Sequence, residues 1–160
     1  MRTIQAKPIT AEAFAKYGAF ASVLEPSGVD LGGFYRDQVL QPTSGRMPSA
    51  FSPLVVPKPE KMIVTTVEYH NYTSEIVLPM DDDAVIHVAP ASKEPVPEQT
   101  EAFIVPKGTV VRLNVGVWHL AAMPVHADAL HVLIVLPERT YANDCTVVQY
   151  DRKQQFEITL

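Results

Sequence analysis

The chain has 160 residues, is 47% hydrophobic and 19% charged, and carries a formal net charge of −5, so one domain with a sizeable core is expected. That acidity argues against nucleic acid or a membrane surface as a partner, and no run approaches the roughly 20 apolar residues that span a bilayer. Cys145 is the only cysteine, which excludes an internal disulfide; with no apolar signal core in residues 1–8, a cytoplasmic protein is expected.

Thr10 is placed to cap a short helix running from Ala11 to Tyr17, with Phe14 and Tyr17 on one face and Gly18 as its stop. Residues 25–61 are rich in Gly, Pro and Ser and read as long loops with brief strands, the kind of segment that serves as a lid or stays disordered. From Met62 the pattern turns to β. Met62–His70 alternates between two faces, followed by Glu75–Met80, an Asp81-Asp82-Asp83 turn and Ala84–Ala89. A Pro-rich acidic loop spans residues 90–101. Ala102–Val105, the Pro106-Lys107-Gly108 turn and a run from Thr109 to Val117 come next. Leu130–Leu136 is the strongest strand, and Thr146–Tyr150 and Phe156–Leu160 finish the chain. Short strands at regular spacing with turn signals between them indicate an all-β sandwich or barrel spanning residues 1–160.

Two segments carry chemistry. Glu68 and His70 lie two apart on a strand and so share a face, together with Met62, Val64 and Thr66. Polar groups on an otherwise apolar face need internal partners, which a metal ion or an anion would supply; the alternative is a strand end in solvent. A turn at Asn71-Tyr72-Thr73 would fold Glu75 back towards His70. His119 ends the run that leads to Trp118, either as a hydrogen-bonded packing residue or as a ligand. Glu68, His70, Glu75 and His119 together make an ordinary set for a borderline divalent metal. Arg36, Arg112 and Arg139 are the cations suited to a substrate carboxylate, since guanidinium binds it bidentately; Asn114 alternates with Arg112 on the same strand. His131 faces with Leu133 and Val135 and is expected to be buried. His87 is ambiguous and His126 is expected to be exposed. Asp81–Asp83 lacks calcium-loop spacing, and Cys145 reads as a buried structural thiol.

Pro8-Ile9-Thr10-Ala11-Glu12-Ala13-Phe14-Ala15-Lys16-Tyr17-Gly18, Glu68-Tyr69-His70 with Ser74-Glu75 and Leu78-Pro79-Met80, Val117-Trp118-His119 and Asn143-Asp144-Cys145 stand in one order along the chain. In that order and spacing they resemble the motifs of the ureidoglycolate lyase (ureidoglycolate hydrolase) family. The resemblance implies a cupin-like, antiparallel jelly-roll barrel or sandwich with a short N-terminal helix. It implies an enzyme of allantoin catabolism that cleaves ureidoglycolate to glyoxylate and urea, acts as a homodimer on a small carboxylate substrate, and has His70, Glu75 and His119 at its catalytic centre. Arg112, Asn114, Trp118 and Arg139 are then the candidates for substrate binding, and Glu68, His70, Glu75 and His119 for a divalent nickel, zinc, manganese or iron ion. The chain departs from the family pattern at Asn114 and Leu120, where the family usually has histidines. The alternatives are another cupin-type enzyme acting on a small hydroxy or keto acid, and a non-catalytic metabolite-binding cupin.

Overall fold

The computed structural model describes residues 1–42 and 47–160. Fourteen strands and two single-turn helices are found among them, in the order β1 (Arg2–Pro8), α1 (Ala11–Phe14), β2 (Gly18–Ser22), β3 (Ser49–Pro57), β4 (Met62–Val64), β5 (Thr66–Tyr69), β6 (Glu75–Pro79), β7 (Ala84–Ala89), β8 (Glu101–Val105), β9 (Thr109–Leu113), β10 (Trp118–His119), β11 (Met123–Pro124), β12 (Ala129–Pro137), α2 (Thr140–Asn143), β13 (Thr146–Gln149) and β14 (Phe156–Thr159), with a 3₁₀ turn at Pro97–Gln99. They form a nine-stranded sheet, β13-β5-β10-β7-β8-β1-β14-β4 with β11 beside β7, and a five-stranded sheet, β2-β9-β6-β12-β3. The all-β two-sheet architecture is the one the short, evenly spaced strand signals call for.

The main core lies between the sheets. Val77, Val111, Leu113, Val132, Ile134 and Leu136 enter it from the small sheet, and Ile86, Val88, Phe103 and Val105 from the large one. A second core, with Trp118, Val85, Ala89, Val67 and Phe156, lies on the other side of the large sheet. Both faces of β7 are therefore buried, and all six of its residues are inaccessible, which is why Ala84–Ala89 is apolar on both faces apart from His87 rather than alternating. At the N-terminus Thr10 caps α1 through its hydroxyl, which accepts from the Ala13 N–H at 3.2 Å. The helix proper stops at Phe14 instead of Tyr17, but both rings are fully buried.

One strand is new and three expectations are revised. Residues 2–8 form β1, which runs parallel to both β14 and β8, whereas every other pairing is antiparallel. Part of the expected 25–61 loop is the nine-residue strand β3, paired along its whole length with β12; Pro53 and Pro57 are tolerated because β3 is an edge strand. Residues 43–46 of that stretch lie outside the described residues. The Met62–His70 run is two strands, broken at Thr65, whose carbonyl accepts from Tyr150 N–H at 2.8 Å. The break reverses the facing, so Met62 and Val64 enter the second core while Glu68 points between the sheets. The Thr109–Val117 run stops at Leu113 and resumes at Trp118. Gly116, at φ +78°, makes the turn, and across it the chain leaves the small sheet and joins the large one.

Candidate active site

His119 sits opposite Glu68 of β5 on one side and Val88 of β7 on the other. Since Val88 belongs to the main core, so does the direction of His119. Trp118, one residue earlier, pairs with Ala89 and points the other way, into the second core. Glu75 opens β6 opposite Leu113, again facing inward, and His70 follows directly on β5. Strand alternation thus aims Glu68, His70, Glu75 and His119 into one space between the sheets. Their nearest ligand atoms all lie within 4.8 Å of one another.

Glu75 is the hub. Its Oε2 is 2.9 Å from His70 Nε2 and 3.1 Å from His119 Nε2, and the two imidazole rings stand 5.3 Å apart. Glu68 Oε1 is 4.0 Å from His119 Nε2. His70, Glu75 and His119 are buried; the Glu68 side chain, 21% exposed, is the accessible member. Each imidazole is also held from behind. His70 Nδ1 donates to the Asp144 carbonyl at 2.6 Å, and His119 Nδ1 to the Val117 carbonyl at 2.8 Å.

A carbonyl oxygen only accepts, so both Nδ1 atoms carry protons. Each Nε2 then faces a carboxylate oxygen and needs either a proton of its own or a cation between the two. Two protons, or one divalent ion, balance the two carboxylates. The electrostatics agree. Burial opposes charge on Glu75, yet the His119 and His70 imidazoles overcome it and hold its carboxyl at about 2. Burial pulls both histidines down, and the bond to Glu75 outweighs it, so both are raised above the ordinary histidine value. Two imidazole nitrogens and two carboxylates, with both rings oriented from behind by backbone carbonyls, are a donor set able to hold a borderline divalent metal.

The other expected binders are not part of the four-residue cluster. Trp118 is 1% exposed, packs on Tyr69 at 4.4 Å and donates from Nε1 to Ser92, so it is a packing residue behind the site. Arg112 and Asn114 alternate with the inward Val111 and Leu113 and occupy the outer face of the small sheet. There Arg112 donates to the Leu40 carbonyl and to Asn114 Oδ1. Arg139 is exposed and left-handed at φ +62°, just before α2. Arg36 pairs with Asp37 on the surface. His131 does share a face with Leu133 and Val135, but that face is the outer one, and His131 is exposed and paired with Asp81 at 2.5 Å. His126 is exposed as expected, and His87 is fully buried.

Two residues at the site carry roles the spacing did not suggest. Asp144 holds His70 as described, and its carboxylate accepts from the N–H groups of Asn71 and Tyr72. Cys145 is half-buried and donates from Sγ to Glu68 Oε2 at 3.2 Å; burial and the neighbouring Glu68 push its thiol up to about 12. The available signal was positional. Both residues immediately precede β13, which pairs with the Glu68 strand.

A cleft of about 190 Å³ beside the site is lined by Tyr72, Thr73, Glu138, Thr140, Asn143 and Asp144. No helix among the described residues is long and apolar enough to cross a membrane.

Residues 1–157 match the family model described as ureidoglycolate lyase. The chain is 30% identical over 135 residues to a putative ureidoglycolate lyase of Agrobacterium fabrum, covering 78% of this chain and 77% of that protein. It is 30% identical over 131 residues to the ureidoglycolate lyase of Pseudomonas aeruginosa, covering 74% and 75%. Among solved structures, a mutant of the Bacillus subtilis oxalate decarboxylase OxdC superposes with a TM-score of 0.44 at 18% identity, over 63% of this chain and 23% of that one. With the family model spanning nearly the whole length, including all four clustered residues, the chain belongs to the ureidoglycolate lyase family.

Proposed function

We propose that this chain is a ureidoglycolate lyase, cleaving ureidoglycolate to glyoxylate and urea at the Glu68, His70, Glu75 and His119 cluster. The observation that carries this reading, in a chain of that family, is the pair of imidazoles converging on one buried carboxylate oxygen, at 2.9 and 3.1 Å. The substrate carries a hydroxyl on the carbon that bears the urea nitrogen. Removing the hydroxyl proton lets the oxygen's electron pair form a carbonyl; the carbon–nitrogen bond breaks and its pair stays on nitrogen, which takes up a proton. Glu68, the accessible carboxylate, is placed to accept the first proton. His119 Nε2, when protonated, is placed to deliver the second; Glu75 and the Val117 carbonyl hold the ring, with His70 bonded to the same Glu75 oxygen. A divalent ion in the cluster would be held by the four clustered side chains and would supply Lewis acidity there. Nickel, zinc, manganese and iron all suit two imidazoles and two carboxylates. Arg139 stands between the cleft-lining residues Glu138 and Thr140 and is the cation we assign to the substrate carboxylate. The same reading places the enzyme in allantoin breakdown, in the cytoplasm, as a homodimer.

The test is urea and glyoxylate release from ureidoglycolate by the purified protein, with metal content measured in parallel. Single acid/base groups contribute roughly 100- to 10,000-fold, so His119→Ala should lose at least about 100-fold in turnover while remaining folded. No urea above the uncatalysed rate from the parent protein would remove the lyase reading. Parent-like turnover by His119→Ala would remove the site assignment. One divalent ion per chain, with turnover abolished by a chelator and restored by the ion, would select the metal-loaded form.

A further inference from the structure

The short segment between α2 and β13 touches both of the site residues on the Glu68 strand. β13 pairs with β5 in the register Thr146↔Tyr69 and Val147↔Glu68, so the residues just before it sit at the end of the ladder, where His70 leaves the strand. We propose that Asp144 and Cys145 form a clasp that aims His70 and Glu68 and thereby sets the affinity of the cluster for a divalent cation. This rests on the reading that the cluster holds such a cation.

Asp144 acts through three bonds. Its carbonyl accepts from His70 Nδ1 at 2.6 Å, which commits the Nε2 lone pair to the centre. Its carboxylate oxygens accept from Asn71 N–H at 2.7 Å and Tyr72 N–H at 2.8 Å. Those residues begin the link from His70 to Glu75. Glu75 is fixed independently, by its pairing with Leu113, so the shape of this link decides how far His70 Nε2 stands from Glu75 Oε2. A carboxylate suits the task because it offers an acceptor oxygen to each of two successive N–H groups. An asparagine there would set an NH₂ against one of them.

Cys145 works on the second ligand. Its thiol donates to Glu68 Oε2, leaving Oε1 as the oxygen that faces His119. Glu68 is the least buried of the four, and among the described residues its carboxylate accepts no hydrogen bond but that of the thiol. Without the thiol its side chain is free to rotate out of the cluster. A hydroxyl could replace the thiol as donor; a methyl could not.

Titration of the metal-free protein with Co²⁺, followed by its d–d absorption and by calorimetry, tests the clasp. Loss of an outer partner of a metal ligand typically costs 10- to 100-fold in affinity, and Asp144→Asn should fall in that range. Cys145→Ala should weaken binding by about 10-fold and change the band shape as Glu68 leaves the ion, whereas Cys145→Ser should recover most of both. The Ala/Ser pair remains informative if the Asp144 variant fails to fold. Tight binding by the parent that is unchanged in Asp144→Asn and Cys145→Ala would overturn the clasp alone, with the metal reading intact. A parent that does not bind Co²⁺ would overturn the metal reading and this proposal with it. Loss of binding in Cys145→Ser equal to that in Cys145→Ala would also overturn the donor role of Cys145.

Discussion

His87 is the buried histidine that the site does not use. It lies on the face of β7 opposite Val88, among the residues of the second core, edge-on to Phe156 at 6.4 Å. Its Nδ1 has no hydrogen-bond partner among the described residues and is sealed from solvent. Burial, and secondarily the positive field of His119, hold its pKa at about 3 against 6.5 in the unfolded chain. The sign follows from proton counting. Between those values the unfolded chain binds a proton that the native ring refuses, so stability is fully present above about 6.5 and is lost as the pH falls towards 3. One such group contributes a slope of at most about 1.4 kcal/mol per pH unit. Replacing it with a ring that does not titrate, in His87→Phe, should flatten the stability profile by that slope between pH 6 and pH 4, read from urea unfolding at each pH. Parallel profiles for parent and variant would show that His87 is solvated after all. The four site residues were legible for the opposite reason. Their chemistry is unusual on an apolar strand face, and the short Asn71–Ser74 link brings Glu75 back to His70, while His119, 44 positions after Glu75, joined them as a second metal-competent segment and through the family resemblance. Trp118, Arg112 and Asn114 were not, because strand alternation puts all three on the side opposite the inward Val111, Leu113 and His119, so closeness in sequence to His119 does not carry them into the site.

The turn at Asn114–Gly116 is a break that composition does not reveal. Read as a sequence, Thr109–Val117 is one strand, since six of its nine residues are apolar or β-branched in the alternating manner of a sheet. In the fold it divides so that β9 can pair in the small sheet and β10 in the large one. Gly116 holds φ +78°, its N–H donates to the His70 carbonyl at 2.8 Å, and a β-carbon on it would come 3.1 Å from Ala91 Cβ. A left-handed conformation costs an ordinary L-residue about 1–2 kcal/mol. Gly116→Ala should therefore lower the unfolding free energy by about 1–2 kcal/mol, and Gly116→Asn by less, because asparagine tolerates that region better. Equal stability of Gly116→Ala and parent in urea would mean that the turn relaxes without cost. The elements that escaped sequence reading share a cause. β1 has few apolar residues and is held by partners about 100 and 150 positions away, and β3 is disguised by two prolines that only an edge position allows. Long-range pairing, unlike hydrophobic periodicity, leaves no local mark.

At the scale of the molecule, the outer face of the five-stranded sheet is open along β3 among the described residues. Along β3 the residues alternate between half-buried and exposed, and the exposed set includes Phe51 at 68% and Val55 at 55%, with Pro53 between them. Across the ladder they stand beside Val135, Leu133 and His131 of β12. β3 is also a free edge, but Pro53 and Pro57 lack the N–H groups that strand addition requires, so that edge is blunted against extension into a longer sheet. An apolar face beside a blocked edge favours face-to-face contact, and a second copy of the same chain meets it with the same apolar surface under two-fold symmetry. The protein is therefore expected to sediment as a dimer. Phe51→Glu and Val55→Glu, which bring like charges into opposition across such an interface in a chain already at −5, should each shift it towards monomer at micromolar concentration. Neither should disturb the cluster, since both side chains leave the sheet on the side away from it. Sedimentation velocity decides the matter: a parent protein that runs as a monomer, or charged variants that remain dimeric, would rule out this face as the interface.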